Sequence, residues 1–301
     1  MTAEFGRLVT AMLTPMTTKG EVDLAQTTEL AKALVASGTE TIVSTGTTGE
    51  APTLSDDELS DVWRTVKAAV GPDIAVIAGA TDNNTAASIT RARRAAELGL
   101  DGLLLTVPAY NKPTAPGLIA HFAAIAGATS LPCMLYNVPS RTASNMTAET
   151  TLAVAQLPNV VGIKEASGSL EQIAHIIEHA PAGFRVWSGN DGDTLPVLAI
   201  GGYGVVSVAS HLTGKQIREM ISAALAGDLA TAGAIHRRLM PLVDAIFFES
   251  SPGPLKFAMN HLGFEVGLPR LPLVEASDGA QALMRAELAR HQIDVPTPAT
   301  A

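Results

Sequence analysis

Val160-Val161-Gly162-Ile163-Lys164-Glu165-Ala166 is a short, almost wholly apolar run with a lysine inside it. It lacks the polar alternation of a strand with one wet face, as expected for a strand buried on both faces of a parallel sheet. Seven more runs of this kind recur on either side: Leu8–Leu13, Thr41–Ser44, Ile74–Ala80, Gly102–Val107, Pro132–Val138, Phe184–Gly189 and Tyr203–Ala209. Segments with helical periodicity separate them. Ser55-Asp56-Asp57-Glu58 opens one as a capping box, and Gly38, Gly99 and Gly227 stand where others should close. Eight strand–helix alternations fit a closed barrel or a doubly wound open sheet, and the count of eight favours an α/β fold of the (β/α)8, TIM-barrel type.

From about Asp228 the alternation stops. A helical stripe of Ala234, Ile235, Leu239, Leu242, Val243 and Ile246 predicts a helix over Asp228–Phe248. A second helix over Leu255–Leu262 ends at Gly263. A connector, Gly267–Pro272, leads to a third over Asp278–Gln292, and the tail Val295–Ala301 is expected to fray. The predicted organisation is a catalytic barrel over residues 1–227 and a small C-terminal helical appendage over 228–301. A barrel of about 250 residues plus a short extension suits the length of 301.

Composition narrows the function classes. Hydrophobic residues at 47% and charged residues at 16% support a large core and oppose disorder. The net charge of −9, with Lys and Arg dispersed, opposes nucleic-acid binding. The lone Cys133 lies in an apolar run and fits a small buried hydrophobe in a reducing, cytoplasmic protein. Met1–Phe5 carries no basic-then-apolar leader pattern, and no apolar run is long enough to span a bilayer. The histidines offer no metal site: His175 and His179 have i,i+4 spacing without a third ligand, which fits a surface helix.

In barrels of this type chemistry sits at the C-terminal ends of the strands. Lys164 falls there. An amine in an apolar site is poorly solvated as the ammonium and can attack a carbonyl; pairing with Glu165 or another acid at the rim is the equally weighted alternative. Gly46-Thr47-Thr48-Gly49-Glu50 follows the second strand. Its hydroxyls and N–H groups could hold a carboxylate, although a bare GTTG is more often only a polar loop, and the P-loop spacing is absent. Gly201-Gly202-Tyr203-Gly204 lacks dinucleotide spacing and precedes a strand. Tyr110 and Tyr136 could shuttle protons or simply pack at the rim. Arg141 could grip a carboxylate or be solvated.

Three segments, Gly46-Thr47-Thr48-Gly49-Glu50, Tyr136-Asn137-Val138-Pro139-Ser140-Arg141-Thr142 and Gly162-Ile163-Lys164-Glu165-Ala166, resemble in order and spacing the dihydrodipicolinate synthase and N-acetylneuraminate lyase family of class I pyruvate aldolases. The resemblance runs from about Gly6 to Leu288. It implies that Lys164 forms an imine with pyruvate and that Thr47 and Thr48 hold the pyruvate carboxylate. Tyr136, Thr47 and Tyr110 would relay protons, Tyr110 entering from a neighbouring subunit of a homotetramer built as a dimer of dimers. Arg141 would bind the carboxylate of L-aspartate-4-semialdehyde, and carbonyls near Gly189 and Val206 would line the pocket. Neither a metal nor another cofactor is implied.

Arg141 after Ser140 favours the semialdehyde over the substrates of the family's sialic-acid and keto-deoxy-sugar-acid enzymes. The sequence departs from the family pattern at Ala109, where many relatives carry a second tyrosine at the tight dimer interface. The positions that bind L-lysine in regulated relatives read Ala51, Asp56, Leu59, Asn83, Ala87 and Ala109, which implies weak or absent feedback inhibition.

Overall fold

The computed structural model describes residues 4–297. The leader reading at Met1–Ala3 and the tail reading at 298–301 lie outside them. Eight parallel strands close into a barrel in sequence order. They are β1 (Leu8–Ala11), β2 (Thr41–Ser44), β3 (Ala75–Gly79), β4 (Gly102–Thr106), β5 (Cys133–Asn137), β6 (Val160–Glu165), β7 (Arg185–Ser188) and β8 (Gly204–Ser207). Pairing of Leu8, Val9 and Thr10 with Val205, Val206 and Ser207 joins the last strand to the first.

Every residue of β1, β2, β5 and β8 is buried, which is why these strands read as unbroken apolar runs. Most runs extend a residue or two beyond the ladder. Met12, Leu13, Val107 and Val138 remain buried after their strands have ended, and Met12 and Val107 still donate to the Val43 and Tyr136 carbonyls of the neighbouring strands at 3.0 and 2.9 Å. A Cβ at Gly162 would collide with the Arg185 carbonyl and the Trp187 ring, which accounts for the glycine two residues before Lys164.

Helices α1 (Leu24–Ala36), α2 (Asp56–Val70), α3 (Thr85–Glu97), α4 (Ala115–Ala126), α5 (Pro139–Thr142), α6 (Ala148–Val154), α7 (Leu170–His179), α8 (Thr194–Ala199) and α9 (Ser210–Leu225) accompany the strands. The capping box of α2 is formed: Glu58 N–H donates to Ser55 Oγ at 3.2 Å and Ser55 N–H donates to Glu58 Oε2 at 2.9 Å. Gly38, Gly99 and Gly227 follow helices with φ of +106°, +73° and +81°.

Where α9 begins, His211 is fully buried. Its Nδ1 lies 2.9 Å from the Val208 carbonyl and its Nε2 accepts from Leu13 N–H at 3.2 Å, which together require the neutral Nδ1–H tautomer. Desolvation pushes its pKa down to about 4.

The appendage consists of α10 (Leu229–Ile246), α11 (Gly253–His261) and α12 (Asp278–Arg290). The α10 stripe is corrected at one position: Ala234 is exposed, while Ala232 and Ala245 join Ile235, Leu239, Leu242 and Ile246 on the buried face. An alanine carries too little apolar weight to mark a face by itself. The tail is corrected too, because Val295 is buried and Asp294 N–H donates to the Leu212 carbonyl at 2.7 Å, tying the segment to α9. No helix among the described residues is long and apolar enough to cross a membrane.

Candidate active site

Lys164 and Tyr136 are direct partners across the β5–β6 ladder. Lys164 is 5% exposed, and its Nζ lies 4.1 Å from the centroid of the Tyr136 ring. The alternative pairing with Glu165 is not made. Successive strand residues face opposite sides, and Glu165 points away into its own network. It accepts from Asn137 Nδ2 at 3.1 Å, Ser167 N–H at 2.7 Å and Gln172 Nε2 at 3.1 Å. Burial pushes its pKa up, and these donors oppose the shift. Asn137 also accepts from Met146 N–H at 3.0 Å, so one buried network links the residue beside Lys164 to the loop that follows the helix carrying Arg141.

The Gly46–Glu50 turn is pinned through its backbone. Thr14 Oγ1 donates to the Gly49 carbonyl at 2.7 Å, Glu50 N–H to the Thr47 carbonyl at 3.1 Å and Ala51 N–H to the Gly46 carbonyl at 3.3 Å. Both ends of the turn are left-handed, with φ of +53° at Thr45 and +57° at Glu50. Trp63 Nε1 steadies the first by donating to Thr45 Oγ1 at 2.6 Å. Thr48 is buried and Thr47 half-buried.

Thr47, Asn83, Ala109, Val138 and Arg141 line a cavity of about 270 Å³ at this end of the barrel. Arg141 sits on the one-turn helix α5 with an exposed side chain. Gly189 N–H donates to the Glu165 carbonyl at 2.7 Å at the end of β7, and Val206 is buried in β8 opposite Val9. Tyr110 stands apart: it is 92% exposed and holds φ at +69°. The fold thus brings Lys164 to Tyr136 and Thr47 to Arg141, and leaves the Tyr110 ring in solvent.

The Dihydrodipicolinate synthetase family model matches residues 4–291. The chain belongs to that family. Over 293 residues it is 52% identical to the 4-hydroxy-tetrahydrodipicolinate synthase of Dehalococcoides mccartyi, covering 97% of this chain and 99% of the relative. It is 53% identical to the enzyme of the same name from Symbiobacterium thermophilum over 286 residues, 95% and 97% of the two chains. The crystal structure of DHDPS from Cyanidioschyzon merolae with lysine bound superposes with a TM-score of 0.93 at 46% identity, covering 95% of this chain and 97% of that one.

Two charged residues of this family member stand out in the structure but not in the motifs. Asp191, buried, accepts from Ser207 Oγ, from Val208 N–H at 3.0 Å and from Ala209 N–H at 3.3 Å. Desolvation pushes its pKa up, against these donors and the charge of Lys164. Lys256 is as deeply buried as Lys164. The signal that singled out Lys164, a lysine alone among apolar neighbours, is also present in Pro254-Leu255-Lys256-Phe257-Ala258-Met259.

Proposed function

We propose that this chain condenses pyruvate, held as an imine on Lys164, with L-aspartate-4-semialdehyde, the 4-hydroxy-tetrahydrodipicolinate synthase reaction on the route to diaminopimelate and lysine. The observation that carries this reading is Lys164 itself: a buried amine against a phenol ring, outside every ion pair found among the described residues. The Lys164 amine adds to the pyruvate ketone and water leaves. The iminium draws electrons from the adjacent methyl, which loses a proton to give an enamine. The enamine carbon attacks the aldehyde carbon, and the resulting alkoxide takes up a proton. The amino group of the second substrate then replaces the lysine on the imine carbon, closing the ring and freeing Lys164.

Thr47 and Thr48 hold the pyruvate carboxylate with N–H and hydroxyl groups. Tyr136 and Thr47 carry protons with Tyr110, and carbonyls near Gly189 and Val206 line the pocket. A phenol relay moves protons without placing a fixed charge beside the iminium. Arg141 on the cavity wall takes the carboxylate of the semialdehyde. The exposure of Tyr110 supports a partner subunit that receives it, within a homotetramer built as a dimer of dimers. The enzyme works in the cytoplasm, with residues 1–227 as the catalytic barrel and 228–301 as the appendage.

The test is turnover of pyruvate with aspartate semialdehyde, compared with cleavage of sialic acid and of keto-deoxy sugar acids. The semialdehyde should be the preferred partner. Preference for a sugar acid would assign the chain to another branch of the family, and full activity as a monomer in analytical ultracentrifugation would remove Tyr110 from the relay.

A further inference from the structure

The carboxylate of Glu50, the last residue of the Gly46–Glu50 turn, is held from the appendage rather than from the barrel. Lys256 Nζ on α11 lies 2.6 Å from Glu50 Oε1, with both side chains essentially inaccessible. The same ammonium donates to the Leu268 carbonyl at 3.1 Å. Arg270 N–H donates to Glu50 Oε2 at 2.8 Å. The connector that supplies these groups is itself fixed. Asn260 Nδ2 donates to the Gly267 carbonyl at 2.9 Å, and Met16 N–H donates to the Val266 carbonyl at 3.0 Å. Gly267 approaches β1's outgoing loop so closely, at φ +68°, that a Cβ there would collide with the Met16 carbonyl.

The Arg270 guanidinium closes the other side. It donates to the Gly20 carbonyl at 2.7 Å, to the Thr53 carbonyl at 2.8 Å and to both oxygens of Glu58. The Arg270 hydrogen bonds, together with the Ser55 cap, hold the Glu58 carboxyl down at about 2.

We propose that Lys256 and Arg270 are positioning residues for the pyruvate site, setting the geometry of Thr47 and Thr48 through Glu50. The inference rests on the reading of that turn as the pyruvate-carboxylate cradle. Glu50 is a non-glycine residue in left-handed backbone, a conformation that persists only where the surroundings impose it. Its N–H donates to the Thr47 carbonyl, so the carboxylate that the appendage grips and the residue that faces the cavity are separated by one backbone hydrogen bond. A misplacement of a fraction of an ångström there is felt by a small carboxylate bound by N–H and hydroxyl groups. Stability alone does not call for a charged pair here, since apolar residues of similar volume commonly serve a buried seam as well.

The experiment compares Lys256→Met, Lys256→Arg and Arg270→Ala with Thr47→Val and Thr48→Val in the full-length protein. It reads kcat, both Michaelis constants, melting temperature and the borohydride-trapped pyruvate adduct. Lys256→Met should raise the pyruvate KM by about tenfold, the loss of one charge-assisted hydrogen bond to the bound carboxylate. The semialdehyde KM should stay within about twofold, and the adduct should still form on Lys164 at saturating pyruvate. Lys256→Arg should recover part of the pyruvate affinity. Arg270→Ala keeps the Lys256–Glu50 pair and the backbone N–H bond to Glu50 but releases the connector from Gly20, Thr53 and Glu58, so it should raise the pyruvate KM about threefold even if Lys256→Met fails to fold. A lower melting temperature with an unchanged pyruvate KM would make both residues merely structural and overturn the proposal. Threonine variants with unchanged pyruvate KM would overturn the cradle reading and the proposal with it, whereas an effect in the threonine variants alone would overturn only the proposal.

Discussion

Lys164 at the mouth of the barrel and Lys256 at the seam with the appendage are buried to nearly the same degree, 5% and 1% exposed. Their surroundings are opposite. Lys256 has Glu50 at 2.6 Å and the Leu268 carbonyl at 3.1 Å, so its charge is met from two sides. Desolvation still draws its pKa below the ordinary lysine range, and Glu50 opposes that shift. Lys164 has a ring face at 4.1 Å, and the acid next to it in sequence is turned away and satisfied by Asn137, Ser167 and Gln172. A buried lysine tied to a carboxylate is committed to its charge, whereas one with no carboxylate in ion-pair contact can offer a lone pair. On the proposed reading of Lys164 as the nucleophile, what separates it from Lys256 is the partner, not the depth of burial.

Exchanging each lysine for methionine should separate the two most widely. Lys164→Met should abolish the borohydride-trapped pyruvate adduct and lower kcat by roughly 10⁴-fold or more, as deletion of a covalent nucleophile does. Its melting temperature should hold or rise, because active-site polar groups commonly sacrifice stability for function. Lys256→Met should behave in reverse, losing roughly 3–5 kcal/mol of stability as Glu50 becomes an uncompensated buried charge, while the adduct still forms on Lys164. Denaturant unfolding alongside peptide mapping of the adduct checks both. A comparable stability loss in the two variants would erase the contrast.

A buried titratable group satisfied by neutral partners should show the same logic through pH. His211 is neutral in the fold, with its pKa near 4 against 6.5 for the free side chain. Above pH 6.5 neither state is protonated and the shift contributes nothing. Between 6.5 and about 4 the unfolded chain takes up a proton that the folded chain refuses. Stability therefore falls with falling pH, by roughly 3 kcal/mol over the window. Subtracting the unfolding free energy of His211→Gln at each pH removes the carboxylates common to both proteins. A difference that does not change between pH 7 and 4.5 would mean that His211 is solvated in the native state.

Arg141 represents the opposite environment, an exposed charge on a cavity wall. Arg141→Ala should leave stability nearly unchanged and raise the semialdehyde KM by about 10- to 100-fold, one or two charge-assisted hydrogen bonds. Pyruvate adduct formation should persist. Unaltered semialdehyde kinetics would sink the assignment.

Most of the barrel was legible because a strand buried on both faces is short, largely apolar and without polar alternation, and β2 coincides end to end with its run at Thr41–Ser44. The overshoot at Leu13, Val107 and Val138 follows from the same cause, since residues beyond the ladder are still in the core. Periodicity also placed the appendage helices, erring at Ala234, whose methyl does not commit it to a face. The juxtaposition of Lys164 and Tyr136 could be anticipated from neighbouring strands. The Glu50–Lys256 pair could not, because it joins residues some two hundred positions apart and no local pattern encodes which side of a barrel a terminal helix will cover. Asp191 lies just past the end of β7, but its hydrogen bonding depends on donors at the end of β8 that only the closed barrel supplies.

The smallest expected effect concerns L-lysine, and it carries the contrast between occupied and free polar groups to the outer surface. Of the positions that resemble a regulatory lysine site, Asn83 alone keeps its type, and Asp56 is the only other with a charge to offer an ammonium. Both are already engaged. Asp56 Oδ1 accepts from Arg91 Nε at 2.7 Å, and the same guanidinium reaches Asp82 at 3.2 Å. Asn83 Oδ1 accepts from Ala109 N–H at 3.0 Å, and its carbonyl accepts from Asn111 Nδ2 at 3.3 Å. Leu59 is 1% exposed and offers a ligand nothing polar. A bound lysine must desolvate a carboxylate and two ammonium groups, each costly without a partner. Two missing charge-assisted hydrogen bonds at about 1.5–3 kcal/mol each weaken binding by orders of magnitude. Initial rates should therefore stay flat as L-lysine rises through the sub-millimolar range, with no calorimetric heat of binding there. Arg91→Ala frees Asp56 and should, if anything, introduce weak lysine binding. Sub-millimolar inhibition of the unmodified enzyme would show that Asp56 and Asn83 exchange their present partners for the ligand, and the contrast between engaged and available groups would then fail at this surface.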